Sequence, residues 1–271
     1  MKKPKAGRFK RLRSAATRAM KKFGVPGVAI GILHEGKCKT VGLGVTSVEN
    51  PLPVDADTLF QIGSISKTFT ATAIMRLVEA GKLELDAPLR TFVPKLRLAD
   101  TTVARRVTLR HVLSHTGGWA GDFFPDTGSG DDALAKAAAL VAKLPQLTPL
   151  GSVWSYNNAG FYLAGRAIEL ATGRSYESAL QELVLDPLGL KHSFLFPTDV
   201  MTRRFAAGHG FADGQATVLR PWALARATNP VGGISASVID VLDYARFHLG
   251  DGTAPDGTRL LRPESLAAMR T

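Results

Sequence analysis

Cysteine is scarce in this sequence. Cys38 is the single cysteine among 271 residues, which excludes an internal disulfide and favours a reducing compartment. The chain also lacks a run of about twenty apolar residues that could cross a bilayer as a helix, and its start lacks the apolar stretch of a secretory signal. We therefore expect a protein without a membrane span that is located in the cytoplasm.

Acidic residues are absent from residues 1–22, which contain ten Lys or Arg. The remaining residues contain 24 basic and 23 acidic side chains, so the formal net charge of +11 belongs to this basic segment. After a start at residues 1–7 that we expect to be disordered, apolar residues recur every three or four positions up to Phe23, which predicts an amphipathic helix. The helix could pack one side on a sheet, or it could bind acidic lipid or nucleic acid. Because the rest of the chain is neutral, we do not expect nucleic acid as a partner.

Motifs of several other enzyme classes are missing. No Gly-x-Ser-x-Gly elbow is present, which argues against an α/β-hydrolase. His111 and His115 have the spacing of two ligands on one helical face, but no third ligand or His-Glu-x-x-His pattern accompanies them. We predict structural roles for both histidines, and neither a metal nor another cofactor.

Ser64 and Lys67 lie three residues apart at the start of a predicted helix over residues 64–80. This spacing places both side chains on one helical face. A serine hydroxyl is a poor nucleophile until a base takes its proton. Desolvation by Ile65 and Phe69 could lower the pKa of Lys67 enough for it to be that base. The alternative is that Ser64 caps the helix and Lys67 is solvated, because a Ser-x-x-Lys spacing arises by chance about once in such a chain.

A second motif, Tyr156-Asn157-Asn158, is rarer. With four Tyr and four Asn in the chain, a Tyr-x-Asn spacing has a chance expectation of roughly 0.06. The flanking runs are also informative, and they are residues 60–77 (FQIGSISKTFTATAIMRL), 108–118 (TLRHVLSHTGG), 154–165 (WSYNNAGFYLAG) and 186–190 (DPLGL). Together these runs resemble the serine β-lactamase and penicillin-binding-protein superfamily, above all its class C-like branch of esterases, D-amino-acid peptidases and β-lactamase-related hydrolases.

The resemblance implies an α/β (α+β) fold, with an antiparallel sheet flanked by helices, a helical subdomain and a cleft between them. It implies acyl transfer through an ester on Ser64, with Lys67 as base. Tyr156 would share the proton transfers and protonate the leaving group, and Asn158 would bind Lys67 and the substrate. The substrates would be small esters, β-lactams or short D-amino-acid peptides, and the sequence carries no signal for an oligomeric state.

The superfamily's third motif, Lys-Thr-Gly or a His-containing substitute, should lie on a strand after Tyr156. His115-Thr116-Gly117 precedes Tyr156, and Gly208-His209-Gly210 lacks the expected surroundings. Residues 263–271 look like a helix without a cap, so we expect residues 23–271 to form one C-terminally incomplete domain after the basic segment at residues 1–22. In the superfamily the strand with the third motif supplies one N–H of the oxyanion hole, and losing one such donor costs about 10²- to 10³-fold in rate. A weakly active or inactive binding relative is therefore one alternative, and binding of nucleic acid or membrane through the basic segment is a second.

The remaining pattern predicts one β-hairpin followed mostly by helices. The hairpin strands are residues 24–33 and 39–45, around a turn at residues 34–37. Helices are predicted at residues 108–115, 131–145, 158–172, 175–184 and 237–249. Residues 117–130 form a Gly-rich loop, whose Trp119, Phe123 and Phe124 could line a cleft or cover the core.

Overall fold

Residues 7–270 are described by a computed structural model. The predicted disordered start at residues 1–7 lies outside the described residues except for Gly7, which begins the first helix. The helices are α1 (Gly7–Phe23), α2 (Ser66–Glu79), α3 (Thr101–Arg106), α4 (Leu109–Leu113), α5 (Ala133–Leu140), α6 (Ala159–Thr172), α7 (Tyr176–Leu180), α8 (Pro197–Val200), α9 (Asn229–Gly232), α10 (Val238–Leu249) and α11 (Pro263–Ala268). The strands are β1 (Gly27–His34), β2 (Lys37–Gly44), β3 (Phe60–Gln61), β4 (Ser193–Phe194), β5 (His209–Ala212), β6 (Gln215–Val218) and β7 (Ser235–Ala236).

The contacts divide the chain into two units. The first contains the described residues up to Gln61, together with Leu190–Ala223 and Ser235–Leu249. The second contains Ile62–Gly189, Leu224–Ile234 and the residues from Gly250 onwards. The predicted division into a basic segment and one domain stays a prediction, and α1 runs across its boundary at residue 22.

The first unit is built on the predicted hairpin. β1 and β2 pair antiparallel from Gly27 opposite Gly44 to His34 opposite Lys37. Their two-residue turn has positive φ at both Glu35 (49°) and Gly36 (74°), the backbone of the turn type that matches strand twist in hairpins. The predicted hairpin is therefore confirmed, with a tighter turn than the four residues expected. In the same unit β7 pairs with both β3 and β4, and β5 pairs with β6.

The basic helix α1 belongs to this unit and contacts β2. Phe9, Ala16 and Met20 are half-buried at helical spacing, whereas every Lys and Arg of the helix is exposed. The methyl group of Met20 lies against Gly44, 2.8 Å from the position that a Cβ would occupy there. The apolar side of α1 therefore packs on the hairpin, as one of the two predicted roles requires, and its charged side stays in solvent.

The second unit is helical, with α6 at its centre. Ten of the 14 residues of α6 are buried, and α6 contacts α2, α4, α5, α7 and α9. The predicted helices of this unit are present with shifted ends: α2 follows a 3₁₀ turn at Gly63–Ile65, α5 continues as a 3₁₀ turn, and α7 continues as a π-helical segment. In the Gly-rich loop Trp119 is 3% exposed and covers the core, whereas Phe124 is 61% exposed.

Within residues 7–270, no helix combines the length and the apolar character needed to cross a membrane. The same residues include no group of three or more His, Cys, Asp or Glu side chains that could hold a metal ion. The cytoplasmic location expected from the sequence stays a prediction.

Candidate active site

Ser64 lies on a sharp turn at the beginning of α2. Gly63 has a φ of 53°, a left-handed conformation that suits glycine. The turn is tied to the segment after α9, because the Ile62 N–H donates to the Ile234 carbonyl at 3.0 Å. Ser64 is exposed, and neither the 3₁₀ turn nor α2 begins with a side-chain cap hydrogen bond. The alternative role of Ser64 as a helix cap is therefore wrong.

Lys67 is placed against Ser64 and shielded from water. Lys67 is 5% exposed. Its Nζ donates to the Ser64 Oγ at 3.0 Å and to the Val231 carbonyl at 2.8 Å. Nζ also lies 5.0 Å from the ring centroid of Tyr156. Desolvation lowers the pKa of Lys67, although the neighbouring Tyr156 opposes the shift. The solvated lysine of the alternative interpretation is not found.

The carbonyl of Val231 is held in place by a polar network around α9. The Asn229 Nδ2 donates to the Glu177 Oε1 at 2.8 Å, and Glu177 also accepts from Arg226 at 3.2 Å. On the other side, the Thr70 hydroxyl donates to the Pro230 carbonyl at 2.8 Å. Together these bonds fix the backbone whose carbonyl accepts a hydrogen bond from Lys67.

The motif Tyr156-Asn157-Asn158 contributes three side chains with different environments. The Asn157 amide serves the fold, because its Oδ1 accepts from the Gly160 N–H and its Nδ2 donates to the Trp119 carbonyl, each at 2.8 Å. Asn158 is 8% exposed. None of the hydrogen bonds recorded for residues 7–270 joins its side chain to Lys67. The bond expected between them is absent, and the Val231 carbonyl is the acceptor instead.

Two further groups lie at the site but were not predicted from the sequence to belong to it. One is the Val231 carbonyl, which carries no side-chain signal. The other is His115, whose ring centroid lies 4.5 Å from that of Tyr156. His111, in contrast, closes a capping box with Thr108 at the start of α4, the kind of structural role predicted for it.

The ion pair between the half-buried Arg226 and the buried Glu177 gives a testable stability prediction. Replacing Glu177 with alanine leaves the buried Asn229 amide without this acceptor, while Arg226 keeps its pair with Asp131. We therefore expect the free energy of unfolding to fall by about 2 kcal/mol. Urea denaturation would measure the change. The matched control is Glu182→Ala, which removes the exposed pair with Arg174 and should cost about 1 kcal/mol or less. Equal losses in the two variants would contradict the assigned role of the network.

Comparison with known proteins shows the family to which the chain is similar. The family model described as Beta-lactamase matches residues 12–271. Penicillin-binding protein 4 of Amycolatopsis lactamdurans is 40% identical over 248 residues, which cover 91% of this chain and 65% of that protein. Esterase EstB of Burkholderia gladioli is 36% identical over 163 residues, which cover 55% of this chain and 41% of that protein. The chain thus spans two thirds or less of the length of these relatives.

Solved structures of β-lactamase and penicillin-binding-protein relatives are also similar to this chain. The octameric penicillin-binding protein homologue from Pyrococcus abyssi matches with a TM-score of 0.79 and 29% identity, over 97% of this chain and 60% of that one. The class C β-lactamase from Rhodobacter sphaeroides matches with a TM-score of 0.76 and 29% identity, over 94% of this chain and 68% of that one.

Proposed function

We propose, because this chain belongs to the β-lactamase family, that it is a serine hydrolase that forms an acyl-enzyme on Ser64. The resemblance drawn from the sequence motifs is confirmed by that membership, and the α/β fold is confirmed by the solved neighbours. Relatives in this family are named as penicillin-binding proteins, β-lactamases and an esterase. The assignment of individual residues and of the substrate is our proposal.

One observation carries the proposal, namely the 3.0 Å contact between the Lys67 Nζ and the exposed Ser64 hydroxyl. Desolvation lowers the pKa of Lys67, which makes the neutral amine accessible at a lower pH than for a solvated lysine. Neutral Lys67 can then take the proton as the Ser64 Oγ attacks the substrate carbonyl. Because the first N–H groups of a helix lack intrahelical partners, the start of α2 favours the oxyanion that develops there.

Tyr156 completes the proton path in this mechanism. Its ring centroid lies 5.0 Å from the Lys67 Nζ, and its phenol is proposed to carry the proton taken from Ser64 to the leaving alcohol or amine as the carbonyl carbon loses that group. Water then attacks the Ser64 ester, and its proton returns by the same route while the acid is released and the serine hydroxyl is restored. Asn158, whose side chain is not bonded to Lys67, is proposed to bind the substrate.

The proposed substrates are a small carboxylic ester, a β-lactam or a short D-amino-acid peptide. The test is to incubate the chain with p-nitrophenyl butyrate, a chromogenic cephalosporin and a peptide ending in D-alanyl-D-alanine, and to follow both product and protein mass. We expect turnover of at least one of them through a transient acyl adduct. A folded chain that forms no adduct with any of the three would contradict the proposal.

Two alternatives would give different results. A weakly active or inactive binding relative would form a long-lived adduct without turnover. Binding of nucleic acid or membrane through the basic segment is favoured by the exposed Lys and Arg side chains of α1. Such binding would weaken steeply as salt rises. A cytoplasmic location belongs to the proposal as well.

A further inference from the structure

His115 occupies a backbone position that normally belongs to glycine. After α4 the N–H of Thr116 donates to the His111 carbonyl at 2.9 Å, and the N–H of His115 donates to the Val112 carbonyl at 3.3 Å. This is the helix-ending pattern whose left-handed residue is usually glycine. His115 has a φ of 58°, and a side chain in that conformation costs about 1 kcal/mol. A strained residue of this kind points to a function for its side chain.

The side chain and carbonyl of His115 hold the backbone on both sides of Tyr156. The His115 carbonyl accepts from the Ser155 N–H at 2.9 Å, and the imidazole Nδ1 accepts from the Asn157 N–H at 3.0 Å. Between these two bonds the imidazole lies against the Tyr156 ring, with the planes tilted by 33°. Tyr156, whose ring lies beside the Lys67 Nζ, is thus held through three contacts with His115.

We propose that His115 is a positioning residue for Tyr156 and that it acts as a neutral imidazole protonated on Nε2. This inference rests on the proposed function, since it assigns the alignment of Tyr156 in that mechanism. The tautomer follows from the geometry, because a ring nitrogen that accepts a hydrogen bond cannot also carry a proton. Protonation of Nδ1 would break the bond to Asn157 and release one of the three attachments.

The surroundings of His115 favour the neutral form. Burial and the positive charge of Lys67 both lower the pKa of His115. Lys67 is the charged side chain that acts on the ring. Within the described residues, the imidazole makes ring contacts with Trp154, Tyr156 and Phe161.

The positioning role differs from simple packing in what it requires of a substitute. Asparagine tolerates the left-handed conformation, and its Oδ1 can accept where the imidazole Nδ1 accepts, but it lacks the ring. Glycine fits the backbone without strain and lacks both the acceptor and the ring. A role limited to packing would make the two variants equal, whereas positioning through Nδ1 ranks asparagine above glycine.

The experiment compares His115→Gly and His115→Asn with Glu35→Gly, a control that places glycine at another left-handed residue, in the β1–β2 turn. We expect His115→Gly to slow acylation of the enzyme by p-nitrophenyl butyrate by about 10²-fold, the size expected for a misaligned catalytic group. The loss should appear in kcat with KM unchanged. His115→Asn should recover part of the rate, and Glu35→Gly should acylate like the unaltered chain. Equal rates for His115→Gly and the unaltered chain would overturn the proposal.

A second measurement does not depend on activity. Long-range ¹⁵N–¹H NMR of the unaltered chain should show the His115 proton on Nε2, and a pH titration should place its pKa below about 6.5, the ordinary value for histidine. A proton on Nδ1 would overturn the proposal even in an active enzyme. Conversely, an unaltered chain that forms no acyl adduct would defeat the proposed function, while the tautomer and the Tyr156 ring signals in His115→Gly would still decide the role of His115.

Discussion

Replacing Ser64 with alanine is expected to abolish hydrolysis, with a loss of about 10⁴- to 10⁶-fold in kcat, as for other enzymes that lose a catalytic nucleophile. The change removes the atom on which we propose the acyl ester forms, and initial rates with p-nitrophenyl butyrate would measure the loss. The fold should be unaffected, because the Ser64 side chain makes no cap hydrogen bond at the start of α2.

The matched control for this variant is Ser114→Ala. Ser114 is an exposed serine that follows α4 and donates to the Arg110 carbonyl. Its replacement should leave the rate within about twofold of the unaltered chain, since exposed substitutions of this kind change stability by about 0.5 kcal/mol or less. A Ser64→Ala chain that is folded and still hydrolyses the ester at the original rate would place the nucleophile elsewhere.

Replacing Lys67 with methionine is expected to slow acylation of Ser64 by about 10³-fold, a typical contribution of a positioned general base. Methionine is apolar and of similar length, so it should fill the buried site that Lys67 occupies. Lys67→Arg is the informative companion, because arginine keeps the charge and the donors but does not lose its proton. Comparable losses in both variants would identify proton transfer as the role of Lys67. An active Lys67→Arg variant would instead assign it an electrostatic role.

The pH dependence of acylation gives an independent check on the same base. Because desolvation lowers the pKa of Lys67, its neutral form is present above a pH lower than the ordinary lysine value of about 10.4. The rate should therefore rise as pH increases through that lowered pKa and then level off. The rise should disappear in Lys67→Met. A limb that persists unchanged in Lys67→Met would contradict the assignment.

Local patterns in the sequence were sufficient to predict the elements whose cause is local. The turn was expected between two apolar strands, and Gly36 suits the positive φ that its backbone adopts. The helix predicted over residues 108–115 starts with Thr108, a residue type that caps helices, and Thr108 does accept the His111 N–H. The 3-residue spacing of Ser64 and Lys67 was enough to predict their contact, because that contact lies within one helical turn.

Long-range contacts at the site could not be predicted in the same way. The Val231 carbonyl is 164 residues from Lys67, and a backbone acceptor has no residue type that could mark it. For the same reason, the Ser-x-x-Lys and Tyr-x-Asn motifs did not predict that Lys67 would donate to this carbonyl and not bond the Asn158 side chain. His115 was assigned a structural role because its ring meets Tyr156 only after the chain returns from the Gly-rich loop.

The basic segment shows how two interpretations of one pattern can each hold in part. The half-buried stripe of Phe9, Ala16 and Met20 packs α1 on the hairpin, as an amphipathic first helix should. Its seven exposed Lys and Arg residues remain free to meet an acidic surface. Composition alone could not separate these roles, since the apolar and basic residues share one helix.

The most direct test of the central claim is to locate a covalent adduct on Ser64. The purified chain would be treated with a fluorophosphonate and, separately, with a penicillin, followed by intact-mass and peptide-mapping mass spectrometry. Circular dichroism would confirm that the chain is folded, and Ser64→Ala would be treated alongside it. We predict one adduct per chain, confined to the peptide that contains Ser64 and absent from Ser64→Ala. A folded chain without an adduct, or one modified at another serine, would contradict the account.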